Sequence, residues 1–200
     1  MRSLLETAIL FRDEYNAMQE NITDEQLMLN YRQGDVAAFE VLYKKHKGPL
    51  YRYVLRQCDD AFVDEIFQDI WMKLINARTT YKNTAKFTTW LYNIAHNRII
   101  DHYRRQNIRP VSNNEENIES TPSLQENQPD QLAQNNERGK HLLTAIKNLP
   151  SDQRDTFLLH EEIGLSIDEI AQTTGVSFEA AKSRLRYAFK KLRDDMKGLL

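Results

Sequence analysis

Apolar positions along this chain fall at helical spacing in block after block, which predicts an all-α fold. The strongest block, Phe87–Arg105, sets Phe87, Leu91, Ile94 and Ala95 on one stripe. Thr89, Asn93 and Asn97 make a second stripe, with Trp90, His96 and Arg104 beside it. Upstream, Thr23 opens a Thr-x-x-Gln capping pattern; Leu27, Leu29 and Tyr31 follow, and Gly34 ends the helix. Asp35 caps the next one, with Ala38, Phe39, Leu42 and Tyr43 inward. Gly48-Pro49 is expected to interrupt it before Leu50, Tyr51, Val54 and Leu55 resume the period. Residues 61–76 add a broad apolar face from Ile66, Phe67, Ile70, Trp71 and Leu74.

Toward the other end, Leu142, Leu143, Ile146 and Leu149 predict an amphipathic helix stopped by Pro150. Ser151 is expected to cap a helix through Phe157, Leu158 and Leu159 that ends near Gly164. Ser166 and Glu169 form a second capping box, with Ile167, Ile170 and Ala171 inward and a short turn at Thr174-Gly175-Val176. Ser177 then caps a last helix with Ala181, Leu185, Ala188, Phe189 and Leu192 on its core stripe. Caps, turn glycine and period together predict a helix-turn-helix. Opposite the stripe sit Glu179, Ser183, Arg186, Tyr187 and Lys190, flanked by Lys182 and Arg184, a cationic face suited to a major groove.

Between these halves the pattern stops. Residues 107–137 are rich in Asn, Gln and Glu, include Pro122 and Pro129, and bury too little to offset ordering. The expected organisation is an extension at 1–22, a helical domain at 23–106, an acidic flexible linker at 107–137 and a second domain at 138–200. The extension is amphipathic at best. An extra helix, a disordered arm and a later start at Met18 all remain open for it.

The net charge of −2 is unevenly spread. Residues 1–106 hold 15 Lys and Arg against 14 Asp and Glu, the linker 1 against 6, and residues 138–200 hold 11 against 9. Any nucleic-acid contact must therefore come from local clusters. Lys44, Lys45 and Lys47 form one, read as a solvated face or a track along a duplex backbone. The single cysteine, Cys58, excludes an intramolecular disulfide and fits a reducing cytoplasm. No apolar run spans a bilayer, and Glu6 within a short apolar start argues against a signal peptide. The histidines and Cys58 lack metal-ligand spacing, and no phosphate-binding glycine loop or nucleophile elbow occurs. No catalytic site, metal or cofactor is expected.

Two polar faces remain to be explained. On Phe87–Arg105, amides, a large aromatic and terminal arginines are what unpaired nucleotides require: edges to read, rings to stack on, phosphates to hold. Glu65, Gln68, Asp69 and Met72 recur at i, i+3, i+4 and i+7, a strip suited to a partner carrying arginines.

FTTWLYNIAHNRIIDHYRR resembles the promoter-melting segment of the extracytoplasmic-function (ECF) sigma factors, the two-domain group of the sigma-70 family, through F-x-T-W-L-x-x-I-A-x-N-x-x-x-D-x-x-R-R. VSFEAAKSRLRYAFKKLR resembles the segment of that group that reads the −35 element, with A-K-S-R-L retained. The resemblance covers about residues 23–106 and 138–198. It implies a promoter-melting and core-binding helical bundle joined by the linker to a helix-turn-helix domain. It also implies docking of Glu65, Gln68, Asp69 and Met72 on the clamp coiled coil of core RNA polymerase, with the polymerase flap as a further contact. Binding of −10 DNA is implied for Tyr81, Lys82, Asn83, Trp90, Asn93, His96, Asn97, Arg104 and Arg105. Binding of −35 DNA is implied for Lys182, Ser183, Arg184, Arg186, Tyr187 and Lys190. The loop at 77–86 corresponds to one that cups a flipped base, with Lys82-Asn83 where many members have Arg-Gly. Tyr187 replaces an arginine common in some subfamilies. Further implications are a linker threading polymerase channels and an anti-sigma factor as partner. The alternatives are a free-standing helix-turn-helix regulator whose first domain senses or dimerises, and a helical adaptor that binds only proteins.

Overall fold

The computed structural model describes residues 22–105 and 131–197, and among them are eight α-helices and no strand. The chain divides into two compact units, Met1–Ile99 and Ile100–Leu200. The expected extension, except Ile22, and most of the expected linker lie outside the described residues.

The first unit holds α1 (Asp24–Arg32), α2 (Val36–Gln57), α3 (Val63–Ala77) and α4 (Phe87–Arg105), with short 3₁₀ turns at Asp60–Phe62 and Arg78–Thr80; α4 runs past the division point. Thr23 caps α1 by accepting from the Gln26 amide at 3.3 Å. The Gln26 side chain does not return the bond as the capping pattern predicts; it donates to Asn30 one turn along, at 2.9 Å. Gly34 turns the chain at φ 105°, a conformation favouring glycine. Asp35 then caps α2, accepting from the amides of Ala37 and Ala38.

Contrary to expectation, Gly48-Pro49 does not interrupt α2. Proline costs a helix interior roughly 3 kcal/mol. Part of that clash involves the Cβ of the preceding residue, which Gly48 lacks. The buried stripe also continues across the site through Leu42, His46, Leu50, Tyr53 and Val54, so packing outweighs the lost bond.

Leu27, Met28, Leu42, Leu50, Ile66, Ile70, Leu74, Phe87 and Leu91 form the buried centre. A chain of rings covers one side: Tyr31 on Phe39, Phe39 and Tyr43 on Trp71, and Tyr51 on Phe67. Tyr53 meets Tyr92 of α4 edge to face at 5.2 Å. On α4 the core stripe is Phe87, Leu91, Tyr92, Ala95 and Ile99, while Ile94 is half-buried.

The second unit holds α5 (Gln131–Lys147), α6 (Ser151–Glu161), α7 (Ile167–Thr174) and α8 (Phe178–Met196). Helix α5 begins seven residues before the expected domain start at 138, inside the stretch read as linker. Ile146, Leu149, Leu158, Leu159, Ile170, Ala181, Ala188 and Leu192 are buried, whereas Leu142 and Leu143 are exposed. Ser151 is the first residue of α6 rather than its cap; Pro150 takes the N-cap position, and no side chain caps that end. The capping box at α7 is complete, with the Ser166 amide donating to Glu169 at 2.8 Å and the Glu169 amide to Ser166 at 3.3 Å. Gly175 leaves α7 at φ 69° and Ser177 caps α8 through the Ala180 amide, so α7, turn and α8 make the helix-turn-helix.

Asp24 ties α1 to α2. Lys45 Nζ donates to its Oδ1 at 2.7 Å and His46 Nε2 to its Oδ2 at 2.8 Å, while the His46 ring packs on Phe87. Burial raises the Asp24 carboxyl, but the hydrogen bonds and charges of His46 and Lys45 outweigh it and hold it below the usual 3.8. A carboxyl lowered by folding stabilises above its unfolded pKa and loses that contribution as pH falls through the folded one. Asp24→Asn is therefore expected to cost about 1–3 kcal/mol near neutrality. In denaturant titrations, the gap to wild type should close as pH falls below about 5 into stronger acid.

Candidate nucleic-acid interface

Helix α4 turns Asn93, Asn97 and Arg104 to one side, spaced at i, i+4 and i+11. Asn97 and Arg104 are exposed, and the Asn97 Nδ2 donates to Asn93 Oδ1 at 3.1 Å. That bond aligns the two amides and leaves Asn97 with its second N–H and its carbonyl oxygen unused. Arg105 is exposed, and His96 lies half-buried on the flank. Thr89 does not join this face as its spacing predicts: it is buried, and its hydroxyl has no hydrogen-bond partner.

The loop before α4 is held from both ends by α1. Arg32 Nη1 donates to the Tyr81 carbonyl at 2.9 Å, and the Phe87 amide donates to Glu25 Oε1 at 2.7 Å. Glu25 thus caps α4 from 62 positions away, with a carboxylate where the helix dipole favours negative charge. An open cavity of about 510 Å³ lies here, lined by Thr23, Glu25, Asn83, Thr84, Ala85 and Lys86.

Tyr81 departs from its expected role. The 3₁₀ turn at Arg78–Thr80 delivers it inward, where it is 1% exposed and packs edge-on against Trp90 at 4.9 Å. Burial, and then the charges of Glu25 and Asp24, push its hydroxyl up to about 12. It supports Trp90 and is not available to stack on a base. Trp90 is half-buried between Tyr81 and Phe87, whereas Lys82 and Asn83 are exposed.

On α3 the strip is outward: Gln68 is exposed, and the side chains of Glu65, Asp69 and Met72 are all substantially accessible. Its two acids are not free, however. Arg98 of α4, only 4% exposed, donates through Nε to Asp69 Oδ2 at 2.7 Å and through Nη2 to Glu65 Oε1 at 3.2 Å. Its Nη1 is buried without a hydrogen-bond partner. The sequence reading missed Arg98, although it carried a signal. Arg98 falls seven residues after Leu91 and three after Ala95, a cation on the core stripe with acids on the preceding helix.

Lys182, Arg186 and Lys190 are exposed along α8 at i, i+4 and i+8. Arg193, not singled out from sequence, continues the row. The Arg186 guanidinium lies over the exposed Tyr187 ring at 5.1 Å, and Lys182 over Phe178 at 5.8 Å. Ser183 is half-buried. Arg184 points differently, with its Nη2 pairing to Asp152 of α6 at 2.7 Å, so it ties α8 to α6. Phe189, expected in the core, is partly exposed yet meets Phe157 edge-on at 5.5 Å. No helix among the described residues is long and apolar enough to cross a membrane.

Two helical units, one bearing an amide–cation face and the other a cationic helix-turn-helix, define a DNA-binding protein of bipartite type. Residues 42–108 match the family described as Sigma-70 region 2, and residues 140–192 match Sigma-70, region 4. The ECF RNA polymerase sigma-E factor of Escherichia coli (strain K12) is 29% identical over 189 residues, covering 92% of this chain and 99% of that protein. The factor of the same name from Haemophilus influenzae is 26% identical, with 92% and 100% covered. Among solved structures, CnrH in complex with the cytosolic domain of CnrY aligns with a TM-score of 0.64 at 20% identity, over 88% of this chain and 97% of that one. RpoE from Bartonella quintana, in complex with the anti-sigma factor NepR, aligns at 0.61 and 20% identity, over 80% and 96%. These likenesses are of fold. The chain belongs to the sigma-70 family, in its extracytoplasmic-function group.

Arg98→Ala is expected to cost about 1–3 kcal/mol by denaturant midpoint, because a buried charge-assisted tie is lost while the exposed acids rehydrate. Arg98→Lys should recover only part, since an ammonium cannot span both carboxylates as a fork does. Arg184→Ala, breaking a more exposed pair, should cost less than about 1 kcal/mol.

Proposed function

We propose that this protein is a bacterial RNA polymerase sigma factor that binds core enzyme, engages −35 and −10 promoter elements and opens the duplex at −10. The observation that carries the reading is the joining of two faces in the first unit. Helix α4, with its outward amides and arginines, is bonded through Arg98 to the acids of the α3 strip. A regulator with a sensing or dimerising domain needs no such pairing, and a protein-only adaptor leaves the cationic row of α8 without use.

In this reading, residues 23–106 form the −10 and core-binding domain, 107–137 the linker and 138–200 the −35 domain. Glu65, Gln68, Asp69 and Met72 dock on the clamp coiled coil, with Asp69 shared between Arg98 and a cation of the polymerase. The second domain sits on the flap. Lys82, Asn83, Trp90, Asn93, His96, Asn97, Arg104 and Arg105 hold the unpaired −10 strand, with Tyr81 as support beneath Trp90. Lys182, Ser183, Arg186, Tyr187 and Lys190 face the −35 groove, and Arg193 extends their phosphate contacts. The acidic linker suits a basic polymerase channel.

Opening follows from differential binding. The separated strand gains base-edge, stacking and phosphate contacts that the duplex cannot make, and these must exceed a few kcal/mol of unstacking per flipped base. Two weak readers on one chain gain from effective concentration once both engage. The protein acts in the cytoplasm and performs no chemistry of its own. The solved complexes of CnrH and of RpoE with their partners support an anti-sigma factor as a second ligand.

Run-off transcription with purified core enzyme, combined with permanganate probing, tests this reading. Reactive thymines are expected upstream of the start site only when protein and core are both present, and their absence overturns it. Asn97→Ala should slow open-complex formation more than closed-complex binding. Arg186→Ala should weaken −35 binding by about 1–3 kcal/mol if its fork spans a guanine edge. An unchanged footprint at −35 would remove that contact.

A further inference from the structure

The cavity at the foot of α4 has one carboxylate in its wall. Of the residues that line it, Asn83, Thr84 and Ala85 belong to the loop, Lys86 leads into α4, and Thr23 and Glu25 come from the start of α1. Its size, about 510 Å³, falls in the range of small-ligand sites. Glu25 spends Oε1 on the Phe87 amide, and Oε2 has no hydrogen-bond partner among the described residues.

Oε2 is a fixed acceptor. The first amide of α4 holds the carboxylate, Asp24 pins the start of α1 to Lys45 and His46, and Arg32 pins its end to the loop. An acceptor that cannot swing away discriminates better than a mobile one, because little freedom is lost on binding. A carboxylate accepts and does not donate, so it favours N–H and repels carbonyl oxygen. Cytosine, adenine and guanine each carry an exocyclic amino group. Thymine carries none, and its only N–H is flanked by two carbonyls that would face the carboxylate.

We infer that Glu25 is a specificity-determining residue: it admits to this cavity an unpaired base with an exocyclic amino group and rejects thymine. The inference rests on capture of an unpaired −10 strand by this unit, as proposed above. It adds which base chemistry the cavity takes and assigns the choice to α1, outside both the loop and α4.

The test is equilibrium binding of reconstituted holoenzyme to single-stranded oligonucleotides spanning the −10 element, each position carrying each base in turn. One position should bind thymine about tenfold more weakly than amino-bearing bases. At that position Glu25→Gln, whose amide can donate to a carbonyl, should bring thymine level while leaving other positions unchanged. Independently of any variant, analogues lacking the amino group are tested on the unaltered protein. Purine in place of adenine, or 2-pyrimidinone in place of cytosine, should lose the same factor there. If Glu25→Gln weakens every oligonucleotide equally, Glu25 only caps α4 and the inference fails. It fails too if discrimination against thymine survives the substitution, or if the analogues bind as well as the natural bases. Holoenzyme that binds none of the strands overturns the underlying reading instead.

Discussion

A guanidinium almost wholly withdrawn from water must be met by carboxylates, and Arg98 is met by two from the neighbouring helix. The rotation of α4 about its axis follows. With Arg98 directed at α3, Phe87, Leu91, Tyr92, Ala95 and Ile99 face the core, and the opposite side carries Asn93, Asn97 and Arg104. The same bond decides the electrical character of the α3 strip. Its acids are partly neutralised from within, so any cation that approaches the strip meets a shared carboxylate rather than a bare one.

Helix α1 acts as a brace. It is short, with only nine residues, yet it reaches the loop through Arg32, the first amide of α4 through Glu25, and α2 through Asp24. A loop between two long helices would ordinarily be among the least stable parts of a domain. Here its two ends are bonded to a third element, and the cavity lies between those bonds.

Much of this was legible from the chain. Turn glycines, most caps and helical period located the elements, because those signals are local; Ser151, expected as a cap, gives way to Pro150 beside it. What escaped was set by distant partners. Pro49 was read as a break, since the stripe that carries α2 across it is visible only once the opposing helices are in place. Tyr81 and Arg184 were read as outward because their residue types suit nucleic acid. The first is buried under Trp90, and the second is claimed by Asp152, 32 positions earlier. Leu142 and Leu143 have helical spacing yet stand outside the core, since period defines a stripe without saying how far along a helix its neighbours extend. The bonds from Glu25 and Arg32, spanning 62 and 49 positions, had no signature in the pattern.

Proline at position 49 carries no amide hydrogen, so the carbonyl of Lys45 lacks the donor that an unbroken helix would supply. The backbone ladder of α2 is thereby one bond short at this turn, although the helix itself runs on. The continuity of α2 at this turn therefore depends on side chains on either side of the gap, Leu42 and His46 before it and Leu50 and Tyr53 after it, all of them buried.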